Sequence, residues 1–281
     1  MKKIFVLLVT CALILATGCG SQGGDKPPDN EPLKLGTIRY LNVTETLFDS
    51  YFEKAAARIE QTSSLRAPKH VFFDNMASML AALESGKIDA LTTYDCVGKY
   101  LASQNSRCEV TTKGVPKISD YFCCAMLDDN ADLKKEFDDA ILKLTADGTL
   151  KNLVKTYITD ANYSDLPSVE MPHFDGADTI KVAVTGDLPP LDFVRADGKP
   201  AGFNTAVLSA ISQQLGKNFE LVDVDSGARA VALTSGEVDV VFWVAVPLGE
   251  TIVPDDFDKP DGVIVTAPYF TDEIVHVQLK K

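Results

Sequence analysis

The sequence predicts an α/β protein of two similar lobes, and two internal echoes carry that prediction. Residues 81–90 (AALESGKIDA) and 231–240 (VALTSGEVDV) share one pattern: the end of a helix, a Ser-Gly stop, then a buried strand opening on an aspartate. Leu83, Ser85, Gly86 and Asp89 of the first match Leu233, Ser235, Gly236 and Asp239 of the second. Glycine at this place takes the left-handed conformation that ends a helix without a Cβ clash. The strands that follow, IDAL and VDVVFWV, are the apolar runs that a sheet covered on both faces requires. A second echo precedes each copy. LKLGTIR (33–39) and IKVAVTG (180–186) both read as an opening strand, followed by a helical stretch and then the Ser-Gly unit. Two matches in the same order point to a duplicated unit.

The chain has 281 residues, 46% of them hydrophobic, which suits two lobes with ample core. Its net charge is −13 and its pI about 4.7, with no Lys/Arg cluster. Nucleic acid and anionic membrane surfaces are therefore poor partners for the body of the protein. The N-terminus reads as an export signal over residues 1–18: Lys2 and Lys3, then an apolar run from Ile4 to Ala16 that is short for a membrane span. Ala16-Thr17-Gly18-Cys19 resembles a bacterial lipobox, which makes Cys19 the expected lipidation site. Residues 19–32 are rich in Gly, Pro and polar residues and read as a flexible tether. The expected location is outside the cytoplasm, lipid-anchored at the cell membrane. Cys96, Cys108, Cys123 and Cys124 remain in the body. Cys123 and Cys124 point to opposite faces of a strand, so Cys108 could pair with one of them; four buried thiols are the other reading. No metal site is expected, because there is no C-x-x-C and His70, His173 and His276 are scattered.

In chain order, 33–39 reads as a strand, and Asn42 or Thr44 caps the amphipathic helix that follows. A strand over HVFFD, a helix capped by Asn75, and the strand IDALTTYD (88–95) come next. CVGKYLASQ is a helix and CEVTT a strand. ISDYFCCAML (118–127) reads as a strand leaving the first lobe. Residues 130–158 read as a helical pair broken at Asp147-Gly148, and a connector with Pro167 and Pro172 follows. The second lobe opens with a strand, a Pro189-Pro190 turn and a hairpin around Ala196–Lys199. Then come a helix stopped by Gly216, the strand FELVDVD, the helix ARAVALTSG, the strand VDVVFWV and extended structure over 263–281.

The second lobe resembles the first half of the amino-acid-type (family 3, type II) periplasmic solute-binding proteins of ABC importers. The resemblance rests on IKVAVTGDLPPLDF, DGKPAGFN, LGKNFELV, RAVALTSGEVDVV and APYF. Residues 33–160 resemble the second half of the same family through ALESGKIDAL, YDCVGKYL and LKLTADGTLKNLVKTY. The halves stand in reverse order, which implies a circular permutation of the two-lobe type II fold. The expected division is lobe B at 33–118, lobe A at 119–160 plus 179–281, and a connector at 161–178.

The resemblance implies a small polar solute held between the lobes at the carboxyl ends of the strands, with an ABC permease as partner and no cofactor. The candidate ligand residues are Arg39, Tyr40, Asn42, Tyr94 and Asp95 from one lobe, and Asp187, Phe193, Trp243 and Ala245 from the other. Trp243 suits core and cleft equally. Arg39 follows a strand and precedes a helix cap, where a fork of donors could hold a carboxylate. The family's Thr-x-x-Arg clamp has no counterpart in Pro247-Leu248-Gly249-Glu250-Thr251. The aspartate that receives the ligand's amino group should fall near Tyr94, and Asp95 is one residue off. The implied solute is amino-acid-like or a small organic anion.

Two other classes compete. LGTIRYLN faintly resembles the opening of chorismate dehydratases, which would make the chain an enzyme on the same fold. A ligand-sensing module working with a membrane receptor is the third reading. No catalytic residues are nominated: no Ser-His-Asp set, metal cluster or phosphate loop can be assembled.

Overall fold

The computed structural model describes residues 31–59, 67–112, 118–248, 253–254 and 256–280. The export signal, Cys19, nearly all of the tether and Gly249–Thr251 lie outside the described residues. The body of the protein starts at Pro32.

The first part of the body contains β1 (Lys34–Ile38), α1 (Glu45–Ile59), β2 (Lys69–Phe73), α2 (Met76–Glu84), β3 (Ala90–Tyr94), α3 (Asp95–Gln104) and β4 (Cys108–Thr111). Thr44, one of the two expected caps, accepts from the Leu47 N–H through Oγ1. Asn75 accepts from Ser78 N at 2.9 Å and caps α2 as expected. Then come β5 (Ser119–Leu127), α4 (Ala131–Ala146) and α5 (Thr149–Val154), with left-handed Gly148 as the break between the two helices.

The second part contains β6 (Thr179–Val184), β7 (Asp187–Leu188), β8 (Asp192–Val194), β9 (Pro200–Ala201), α6 (Phe203–Leu215), β10 (Asn218–Asp223), α7 (Arg229–Thr234), β11 (Val240–Pro247), β12 (Val263–Val265) and β13 (Phe270–Leu279). The strands β7 to β9 form a small separate sheet at the proline turn.

The duplication expected from the sequence is present bond by bond. Gly86 and Gly236 have φ of 71° and 73°, and each donates to the leucine three residues earlier at 3.1 Å. Lys87 N and Glu237 N close the next turn on Ala82 O and Ala232 O. Asp89 exchanges two bonds with the opening strand: its Oδ2 accepts from Lys34 N and its N–H donates to Lys34 O, both at 2.8 Å. Asp239 does the same with Lys181, at 2.8 and 2.9 Å. The aspartate that opens each strand thus pins it to the first strand of its unit.

The main sheet has ten strands in the order β10-β6-β11-β5-β13-β3-β1-β2, with β12 on β5 and β4 on β13. This order is palindromic about its centre. In each unit the first three strands run parallel, and one antiparallel strand completes them. That last strand is exchanged between the units. β5 follows β4 in the chain but pairs with β11, and β13 follows β12 but pairs with β3. β5 is thus the strand expected to leave the first lobe. β13 runs across the junction: Phe270–Glu273 pair with β5, and Ile274–Val277 pair with β3.

Burial follows the strand periodicity. Cys123 sits in the cluster with Ala125, Ala183 and Val241, on one face of the second half. Cys124 sits in the large core with Phe137, Val182 and Phe242, on the other face. Cys96, Cys108, Cys123 and Cys124 are all free thiols, and all are buried. Helix α4 lies over the second half, where Phe137 stacks on Phe219 with ring centroids 5.6 Å apart. Among the described residues no helix is long and apolar enough to cross a membrane.

Candidate functional site

The two halves meet where the parallel strands end, and the meeting surface encloses a cavity of about 50 Å³. Its walls come from β1 and the turn after it (Thr37, Arg39, Tyr40), from β3 (Thr92, Tyr94), from β11 (Trp243, Ala245), and from Arg229 and Asp258. The carboxyl ends of parallel strands place backbone and side chains in this position in any open α/β sheet.

Arg229 is the central group. It opens α7, is 4% exposed, and its guanidinium donates to three backbone carbonyls: Trp243 O at 2.9 Å, Arg39 O at 3.0 Å and Ser226 O at 3.4 Å. Arg39 belongs to the first half and Trp243 to the second, so this side chain bridges the halves. A guanidinium carries five N–H donors, so each terminal nitrogen keeps one in reserve. No carboxylate of the described residues lies within ion-pair distance of it. Burial lowers its pKa from the ordinary arginine value, while Asp258 and Asp192 oppose that from farther away.

Three more donors are buried in the same walls. Thr37 Oγ1, Thr92 Oγ1 and Trp243 Nε1 have no hydrogen-bond partner among the described residues. Thr37 and Thr92 are register partners on adjacent strands. Buried polar groups are nearly always paired, so this concentration on one cavity is unusual.

Two carboxylates close the cleft from the second half. Asp258, 5% exposed, accepts from Asn42 N at 2.8 Å, and the neighbouring N–H groups of Leu41 and Val43 also point to it. Its pKa is pushed up to about 7, by burial first, with the Asn42 bond and Arg229 acting against that. Asp187 accepts from Met76 N at 2.7 Å and so caps α2 from across the cleft. The free N–H groups after β1, a natural anion site, are therefore satisfied by the protein's own Asp258.

The cavity gathers Arg39, Tyr40, Tyr94, Trp243 and Ala245 of the residues nominated from sequence. Trp243 is core and cleft at once: 9% exposed, it stacks on Phe122 at 4.6 Å while lining the cavity. The Arg39 guanidinium is engaged with Asp74 at 2.8 Å. Tyr94 donates to buried Asp120 at 2.8 Å. Asn42, Asp95, Asp187 and Phe193 are placed outside the cavity walls. Asn42 supports Asp258 through its backbone, and Asp95 pairs with Lys99 at 2.5 Å. Phe193 sits in the small hairpin sheet opposite Asp187 and Ala201. The proline turn itself is ordered by Asp192, which accepts from Thr185 and Gly186 N–H groups at 3.1 and 2.8 Å. Arg229, Thr37, Thr92, Asp120 and Asp258 were not nominated. The one available signal for Arg229 was a lone cation in the otherwise apolar run Ala228–Leu233.

No group of three or more His, Cys, Asp or Glu side chains among the described residues could hold a metal ion.

Residues 180–244 match the sequence model of the bacterial extracellular solute-binding proteins, family 3. The family resemblance drawn from the second lobe is borne out over that stretch. No curated protein matches the sequence. Among solved structures, the chain is similar to the ligand-binding component of an ABC-type import system from Staphylococcus aureus, solved with zinc bound. The identity is 10% and the TM-score 0.42; the alignment covers 89% of this chain and 66% of that one, just under two thirds of its length. It is also similar to the GluR0 ligand-binding core from Nostoc punctiforme in complex with L-glutamate (9% identity, TM-score 0.39, 89% and 86% covered). A periplasmic substrate-binding protein of an ABC transporter from Coxiella burnetii gives 12% identity and a TM-score of 0.39, with 88% and 84% covered.

Proposed function

We propose that this chain is the solute-capturing component of an ABC-type importer, and that it holds a small organic anion between the two halves of its sheet. The observation that carries this reading is Arg229: a buried guanidinium in the cleft, with donors in reserve and no carboxylate of the described residues at ion-pair distance. A buried cation whose described carboxylates stand beyond ion-pair distance is costly, and a ligand carboxylate in direct contact would relieve that cost. Thr37 Oγ1 and Trp243 Nε1 supply further buried donors on the same cavity. The match of residues 180–244 to a solute-binding family supports the transport setting.

In this reading Arg229 takes the place of the missing Thr-x-x-Arg clamp, since it is buried, whereas Arg39 is partly exposed and held through Nε by Asp74. Tyr40, Tyr94, Trp243 and Ala245 shape the cavity. Asn42 and Asp187 act at its edges by holding the halves together. At about 50 Å³ the cavity takes little more than one or two waters, so the halves must part to admit a solute. Export, lipidation at Cys19, a tether and a permease partner complete the proposal. So does the circular permutation: the exchanged strands and the palindromic order are what two joined half-units would give.

The test uses Trp243, the protein's single tryptophan, as reporter. Small carboxylates such as acetate, succinate and L-glutamate are titrated into the signal-free protein while its fluorescence is followed. Wild type should respond saturably to at least one of them. Arg229→Gln should weaken that binding by roughly thirtyfold, the worth of a charged hydrogen bond. Unchanged affinity in the variant, or a wild type that ignores every anion, overturns the reading.

A further inference from the structure

Beside the cleft lies a second cavity of about 140 Å³. Tyr40, Thr92 and Ile274 line both spaces, so a wall of three side chains is common to them. The second chamber is aromatic. Phe48 and Phe52 come from α1, and Phe257 from the loop that also carries Asp258. Their rings are in contact with Tyr40 and with one another at centroid distances of 5.0 to 6.1 Å. His70 and His276 are the chamber's imidazoles. Burial lowers the pKa of both, that of His276 to about 4, so they are neutral at pH 7. Asp120 is its one carboxylate among the described residues and is held by the Tyr94 hydroxyl.

Size and chemistry fit one kind of occupant. An apolar cavity of about 150 Å³ accepts a benzene molecule. Among the described residues the chamber offers that volume, flat ring faces and no cation, while the adjoining cleft holds buried Arg229 with donors in reserve and half-exposed Arg39, whose Nε is held by Asp74. A zwitterion would need a carboxylate free to meet its ammonium group. Asp258 is occupied by backbone N–H groups, and Asp120 lies in the apolar chamber, on the side where the ring would go.

We propose that cleft and chamber form one composite site for an aryl monocarboxylate, with the carboxylate on Arg229 and the ring in the chamber lined by Tyr40, Phe48, Phe52 and Phe257. This inference rests on the reading of Arg229 as the anion-holding group. It adds what the ligand carries besides its charge.

The experiment compares phenylacetate, 1-naphthylacetate, acetate, L-phenylalanine and L-glutamate by calorimetry and Trp243 fluorescence, on wild type and two chamber variants. Phenylacetate should bind wild type at least about tenfold tighter than acetate, the gain from burying a ring. It should also bind more tightly than L-phenylalanine, whose ammonium group finds no receptor. Ile274→Phe adds bulk at the wall the two spaces share and should erase most of the phenylacetate-to-acetate ratio. Phe52→Ala enlarges the chamber and should move the preference toward 1-naphthylacetate. If carboxylates bind through Arg229 but phenylacetate gains nothing over acetate, or L-glutamate binds best, the composite site is overturned and the anion reading stands. If no carboxylate binds wild type, both fall together.

Discussion

At the scale of single residues, burial decides what each charge near the cleft can do. Arg229 has carbonyl partners and no carboxylate of the described residues at ion-pair distance, which is why we propose it as the ligand-holding group. Asp120 shows the opposite case. It is 3% exposed, and burial pushes its pKa up to about 6, against the pull of the Tyr94 hydroxyl bond. The ordinary carboxyl value is near 4. Between those two values the folded protein holds a proton that the unfolded chain has released. Asp120 therefore favours folding fully only below about pH 4, and its contribution is lost as pH rises toward 6. Asn at this position still accepts from Tyr94 but does not titrate. Asp120→Asn should gain stability relative to wild type between pH 4 and pH 7, by up to about 3 kcal/mol. His70 and His276 titrate with the opposite sign in part of this window, but both are present in wild type and variant. Urea unfolding of the two proteins at several pH values reads the difference directly; a difference that stays flat with pH refutes the assignment.

At the scale of elements, the proline turn and α6 form a unit whose geometry depends on one glycine. Phe203 N and Asn204 N, at the start of α6, donate to Pro190 O and Leu191 O at 2.9 and 2.7 Å. That brings the turn so close that a Cβ on Gly202 would lie 2.3 Å from Leu191 O, at a φ of +111°. Gly216, at the other end of the helix, has φ of +62° with open space around it. Gly202→Ala should cost about 3 kcal/mol or more, because rigid backbone must move. Gly216→Ala should cost only about 1 kcal/mol. Equal urea midpoints for the two variants would refute the distinction. The elements themselves were largely legible in the sequence. The Ser-Gly stops, the Asn75 cap, the Asp147-Gly148 break and the strands all rest on local rules that read short windows. The site was legible only in part. Strand ends announced Arg39, Tyr40, Tyr94, Trp243 and Ala245, since position on a parallel strand fixes proximity to the cleft. Arg229 and Asp258 lie on a short helix and a loop, and only the packing of one half on the other brings them there. Asp187 was correctly placed after its strand, but its partner, Met76 N, is 111 residues away, beyond the reach of any local pattern.

At the scale of the whole molecule, the exchanged strands join the two halves in one continuous sheet. β13 runs antiparallel to β3, and β1 runs parallel to β3 on the other side. The end of β13 and the start of β1 therefore lie at the same end of the strands, two strand spacings or about 10 Å apart. Three extended residues span that distance, so a linker of about six residues can join Lys281 to Leu33 without strain. The connector offers a place to open the chain. Asp175 is fully exposed and Gly176 occupies a turn, while the residues on either side are tied to the second half: Phe174 N donates to Asn218 Oδ1, and Ala177 O accepts from Asn218 Nδ2. A variant that begins at Gly176, runs to Lys281, crosses the linker to Leu33 and ends at Asp175 would restore the order of the solute-binding family. Chain ends that are close in space, and a cut at an exposed turn, are the conditions under which permutation preserves a fold. The variant should fold cooperatively, keep the Trp243 emission of the original chain, and bind the same carboxylates with affinity within a few-fold. If it fails to fold, the order of the halves is built into the structure, and the circular relationship we propose is wrong.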